Sequence, residues 1–210
     1  MYGYVKVGSA VPKLRVADCV YNKEEILKLV EAAAAKQVRV LSFPELSVTG
    51  YTCADLFFQT PLLHAAEQAI QEIAEATKAL NIFLLIGAPI AVDNQMFNCA
   101  VALYKGKLLG IVPKTHIPNY SEFYEERWFA SADDLLTEEI TYAGQNVPIG
   151  ADLIFAAADF PALKIGVEIC EDLWVPIPPS SYLSLYGATL LLNLSASNEL
   201  ASKPGYRRQL

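Results

Sequence analysis

Apolar and polar positions along the chain sort into helical and strand periods. "YGYVKVGSAV" alternates and predicts a first strand. "NKEEILKLVEAAAAKQ" then repeats at helical spacing. Asn22 is its expected cap, Glu25 stands three residues on, and Ile26, Val30, Ala33 and Ala34 share one face. "VRVLSF" reads as a strand stopped by Pro44. "TPLLHAAEQAIQEIAEATKAL" gives the clearest helix. Thr60 caps it, Pro61 takes the first turn, and Leu63, Ala66, Ile70, Ile73, Thr77 and Leu80 form its stripe.

The continuous apolar run "IFLLIGAPI" predicts a buried strand. "FNCAVALYKGKLLGIVPK" predicts a hairpin turning at Lys105-Gly106-Lys107. Positions 119–150 lose periodicity and carry Glu, Asp, Trp and Tyr, which predicts a long loop with short helices at most. "LKIGVEIC" is a strand, "SSYLSLYGA" a short helix and "TLLLNLSAS" a strand running into a loop. "ASKPGYRRQL" starts another helix. The order β-α-β-α-β-β-β-β-α-β describes one mixed α/β domain over residues 1–210, with helices packed on sheet.

Composition narrows the function classes. Hydrophobic residues make up 53% of the 210, enough for a packed core. Sixteen basic against 23 acidic residues leave a net charge of -7, and no basic run precedes Arg207-Arg208, so nucleic acid is not an expected partner. Cys19, Cys53, Cys99 and Cys170 form no C-x-x-C pair, and the chain has two histidines, His64 and His116, so no metal site is expected. No signal peptide and no bilayer-length apolar stretch is evident, which predicts a reduced, cytoplasmic protein without a membrane partner.

Three residues carry the chemistry by position. Glu45 follows the strand "VRVLSF", Lys114 follows "KLLGIV" and Cys170 closes "LKIGVEI". Strand ends feeding loops are where α/β enzymes place their reacting groups. Cys170 sits among Glu168, Glu171 and Asp172, and negative neighbours oppose a thiolate. Strand parity would also turn Glu168 toward the thiol. If the three strand ends converge, the Lys114 ammonium offsets these acids and Glu45 can take the thiol proton.

"FPELSVTGY", "VPKTHIPNYSEFYEERWF" and "GVEICEDLWVP" resemble the three signature segments of the nitrilase (carbon–nitrogen hydrolase) superfamily. With "NLSAS", the second and third segments look most like the glutaminase domains of glutamine-dependent NAD synthetases. The resemblance implies a nitrilase-type α-β-β-α four-layer sandwich, here incomplete at its C-terminus. It implies Glu45 as general base, Lys114 as oxyanion stabiliser and Cys170 as nucleophile toward L-glutamine. It places Tyr120, Glu171, Ser197 and Lys203 where glutamine binds, and Glu125 where a second acid steers the lysine and substrate. The family builds oligomers, so a homo-oligomer is expected.

The resemblance implies no cofactor in this domain. ATP, Mg and deamido-NAD belong to a synthetase domain whose S-G-G-x-D-S loop is absent here. Beside these readings stand plainer ones: Cys19, Cys53 and Cys99 as core hydrophobes, His116 as structural, and the aromatics from Tyr120 to Phe129 as a packed loop. The rival functions are a stand-alone amidase on another amide and a noncatalytic assembly module.

Overall fold

The computed structural model describes residues 3–209. Strand β1 (Val7–Ser9) leads into helix α1 (Cys19–Ala35), then β2 (Val40–Ser42), a 3₁₀ turn at Ala54–Phe58 and α2 (Thr60–Thr77). Strands β3 (Phe83–Val92), β4 (Gln95–Tyr104) and β5 (Lys107–Pro113) follow. After two short 3₁₀ turns come β6 (Glu139–Tyr142), β7 (Gln145–Pro148), β8 (Ile154–Ala156) and β9 (Lys164–Ile169). A 3₁₀ turn at Cys170–Trp174, α3 (Pro179–Leu185), β10 (Leu190–Leu194) and α4 (Lys203–Arg207) complete the described chain.

Strands β1 to β5 form one sheet in sequence order, and β10-β9-β8 form a second. Alternation along the strands explains why the sheets stack. In β3 and β4, Leu84, Ile86, Phe97, Cys99 and Val101 face the core shared with Ile26, Val30, Ile70 and Ile73 of the two helices. Phe83, Leu85, Ala100 and Ala102 face the other way, onto Ile165, Val167 and Ile169 of β9. Helix α3 covers the outer side of the second sheet: a Cβ on Gly166 would lie 3.1 Å from Leu183 Cβ. The layers therefore run α1/α2, five-stranded sheet, three-stranded sheet, α3, which is the expected α-β-β-α sandwich.

Several local expectations are corrected, among them the cap of α2: Thr60 is its first residue, and Gln59 stands at the cap position without a side-chain bond. The first strand is confined to Val7–Ser9, and Tyr2 and Leu210 lie outside the described residues. Helix α1 begins earlier and is capped by Asp18, whose Oδ1 accepts the Tyr21 N–H at 3.0 Å. Asn22 is instead buried inside the helix, where its amide bonds the Arg15 backbone and the Val48 carbonyl. The segment read as a loop contains the hairpin β6–β7, and β8 was not expected either. The hairpin's exposed Glu139, Thr141 and Asn146 are polar, so only Tyr142, Ala143, Val147 and Ile149 record the burial of the hairpin region, and β8 is only three residues long.

Candidate active site

The ends of β2, β5 and β9 meet. Lys114 lies directly after β5, fully buried, and its Nζ donates to Glu45 Oε1 at 2.8 Å and to Glu125 Oε1 and Oε2 at 2.9 and 2.8 Å. Burial opposes its charge, but Glu45 and Glu125 outweigh burial and hold the amine above its usual pKa. Asn98 of β4 donates to Glu45 Oε1 at 2.7 Å, and the Ala196 N–H donates to Oε2 at 3.0 Å. Glu125 also accepts from the Tyr51 hydroxyl at 2.7 Å. Burial first, and then the Glu45 charge, raise the Glu125 pKa against the pull of Lys114.

Glu45 reaches this place because its loop presses on β3. A Cβ on Gly87 would lie 2.3 Å from the Leu46 nitrogen and 2.5 Å from the Pro44 oxygen, so no larger residue fits without moving that backbone. Just beyond, Leu46 turns at φ 51°.

Cys170 is the pivot where β9 becomes the 3₁₀ turn, with φ 48°. A left-handed non-glycine residue costs about 1–3 kcal/mol and persists only where its surroundings enforce it. The enforcing group is Asp172. Its Oδ2 accepts the Ile169 N–H at 2.9 Å, and its Oδ1 accepts the His116 and Thr115 N–H groups at 2.7 and 3.2 Å.

This pivot breaks the strand parity that would have set Glu168 against the thiol. Glu168 points toward α3 instead, accepting the Ser180 N–H at 3.0 Å. The acid acting most on Cys170 is Glu45, from another sheet. Burial above all, then Glu45, push the thiol up to about 12, with Lys114 and Ser195 pulling the other way. The resting sulfur is thus held as a neutral thiol beside a base.

Cys170 lines a cavity of about 710 Å³ with Tyr120, Glu171, Trp174, Ser197 and Lys203. The Tyr120 hydroxyl donates to both Glu171 oxygens at 2.9 Å, and Lys203 Nζ donates to Ser197 Oγ and Asn198 Oδ1. An acidic pair and a cation thus flank one opening beside the thiol. Glu125 stays behind Lys114 and does not line this cavity. Among the described residues, no group of three or more His, Cys, Asp or Glu is arranged to hold a metal, and no helix is long and apolar enough to cross a membrane.

Tyr51 and Asn98 have no role assigned from the sequence, and nothing in its periodicity singles out Tyr51. Asp172 counts there only as an adverse charge, and in "NLSAS" Ser197 is chosen over Ser195 and Ala196. A polar Asn at an otherwise apolar strand position was the one available hint for Asn98.

The Carbon-nitrogen hydrolase family profile matches residues 7–209. The chain is 39% identical over 208 residues to the glutamine-dependent NAD(+) synthetase of Mycobacterium leprae, covering 99% of this chain and 30% of that protein. A crystal structure of a glutamine-dependent NAD(+) synthetase from Cytophaga hutchinsonii superposes with a TM-score of 0.84 at 30% identity. It covers 98% of this chain and 33% of its own. An amidase from Nesterenkonia sp. has a similar fold, with a TM-score of 0.72 at 17% identity, covering 96% of this chain and 68% of its own. The chain therefore spans about a third of the length of the synthetases it resembles.

Proposed function

The chain belongs to the carbon–nitrogen hydrolase family, and on that premise we propose that it hydrolyses the side-chain amide of L-glutamine through a Cys170 thioester. The observation that carries this reading is the buried Lys114 held between Glu45 and Glu125, beside a thiol that opens on a cavity with charged groups of both signs.

In this reading Glu45 takes the proton from Cys170 as sulfur bonds to the amide carbon. The oxyanion is met by Lys114 and by the Glu171 N–H, which lies in the first turn of a helix, where donors have no intrahelical partner. One such donor contributes about 3–4 kcal/mol of barrier reduction. Collapse breaks the C–N bond, and Glu45 returns its proton to the leaving ammonia. Water, deprotonated by Glu45, then cleaves the thioester to glutamate. Glu125 keeps the lysine charged and aimed. Tyr120 and Glu171 receive the substrate α-amino group, and Ser197 and Lys203 its α-carboxylate.

The relatives are named glutamine-dependent NAD(+) synthetases. We place the ammonia in the same service: consumed by a synthetase domain of the parent protein, where ATP, Mg and deamido-NAD bind. All four cysteines are buried and unpaired, which suits a reducing cytoplasm. The exposed Tyr182 and Leu185 of α3, with Tyr186 just beyond it, suit homo-oligomer formation.

The test is glutamate and ammonia release from L-glutamine, with complete loss in Cys170→Ala. Clearly faster turnover of simple aliphatic amides would transfer the assignment to a general amidase. Equal labelling of all four cysteines by a glutamine-derived chloroketone would point to a noncatalytic module.

A further inference from the structure

We propose that Asp172 is a positioning residue that fixes the separation between Cys170 and Lys114. The inference rests on Cys170 being the nucleophile. Asp172 touches neither sulfur nor ammonium. Its buried carboxylate is instead the shared acceptor for three backbone N–H groups drawn from two segments far apart in sequence.

One oxygen holds Ile169, the residue immediately before the nucleophile. The other holds Thr115 and His116, the two residues immediately after the lysine. The carboxylate is thus a rigid spacer between the pivot of one sheet and the strand end of the other. The Ile169 bond also closes half of a capping box over the 3₁₀ turn, which enforces the left-handed Cys170 and directs the Glu171 N–H. Reacting groups displaced by about 1 Å lose on the order of a hundredfold in rate. A spacer of this kind therefore acts on the chemical step, and much less on recognition of substrate charges by Tyr120, Glu171 and Lys203.

Asp172→Asn keeps the shape and breaks the function of the spacer. Whichever way the amide turns, its NH₂ meets a backbone donor, so Ile169 or the Thr115–His116 pair loses its acceptor. The experiment measures alkylation of Cys170 by a glutamine-derived chloroketone, separating kinact from KI, together with the alkylation rate by 2-chloroacetamide, which needs no amino-acid recognition. Each value is scaled to the folded fraction.

The expected result is at least a tenfold fall in kinact and in the chloroacetamide rate, with KI within threefold of wild type. A purely structural role would lower the melting temperature and leave kinact per folded molecule unchanged, and that outcome overturns the proposal. Asp172→Glu, which keeps the charge but adds a methylene, is the second variant if Asn prevents folding; a wild-type kinact there overturns it equally. Failure of the glutaminase reading shows differently, as wild-type Cys170 reacting with chloroacetamide but not preferentially with the chloroketone. The chloroacetamide arm still decides the role of Asp172 in that case.

Discussion

Replacing Lys114 with Met tests the electrostatic account of the site. The substitution keeps an unbranched chain and removes the only ammonium bonded to Glu45 and Glu125 among the described residues. Both carboxylates then remain buried, and breaking such a pair by deleting one partner costs about 3–5 kcal/mol. The two Oε1 atoms lie 2.8 and 2.9 Å from the same nitrogen, so they cannot be further apart than those two lengths end to end. At an effective dielectric near 20, repulsion across that span is about 3 kcal/mol, or roughly two pK units.

Glu125, already raised by burial and by Glu45, is the carboxyl that takes the proton. A carboxyl whose folded pKa exceeds its unfolded value contributes stability below the unfolded pKa and loses it as pH rises through the folded one. The deficit of Lys114→Met against wild type must therefore be larger at pH 8 than at pH 5, and adding Glu125→Gln must recover part of it at pH 8. Urea unfolding at the two pH values measures this. A deficit identical at pH 5 and pH 8, or a variant as stable as wild type at pH 8, would refute the reasoning.

Gly87→Ala drives a Cβ into the Glu45 loop backbone, so Cys170 labelling by the chloroketone should fall at least tenfold, with a destabilisation of about 1–3 kcal/mol by thermal melting. Wild-type labelling would show that the loop position is irrelevant to the base. Asp172 has its pKa raised to about 7 by burial, against hydrogen bonds from His116 and Ile169 and the charge of Lys114, with Glu168 adding a small upward push. Relative to Asp172→Asn, wild-type stability should then decline as pH rises from about 4 through 7; a pH-independent difference in unfolding midpoint contradicts it. Lys203→Ala should raise the KM for glutamine at least tenfold with kcat little changed, since its ammonium faces the cavity and not the sulfur. Steady-state kinetics give the split, and an unchanged KM removes Lys203 from the substrate site.

Periodicity along the chain determined a mixed α/β domain and most of its element order, because an element buried on one face must repeat its apolar residues at its own period; the four-layer sandwich followed from the resemblance of the three signature segments. Thus Ile70 and Ile73 of α2, the buried run of β3 and the β4–β5 hairpin were legible before any coordinates, whereas which residues of β3 and β4 face which layer was decided by the fold. The hairpin β6–β7 was not, since its exposed Glu139, Thr141 and Asn146 leave too few apolar positions to register a period, and β8, though apolar throughout, is only three residues long.

The sequence also marked Glu45, Lys114 and Cys170 as strand-end residues. It could not determine their meeting, because Lys114 finds one carboxylate 69 residues away and the other 11 residues away. Nor could it show which acids act on the thiol. Neighbours in sequence suggested Glu168, Glu171 and Asp172; the left-handed turn at Cys170 sends Glu168 to α3, Glu171 to Tyr120 and Asp172 to backbone N–H groups. Charges act through space, and only the tertiary fold decides which of them share a small, poorly solvated volume.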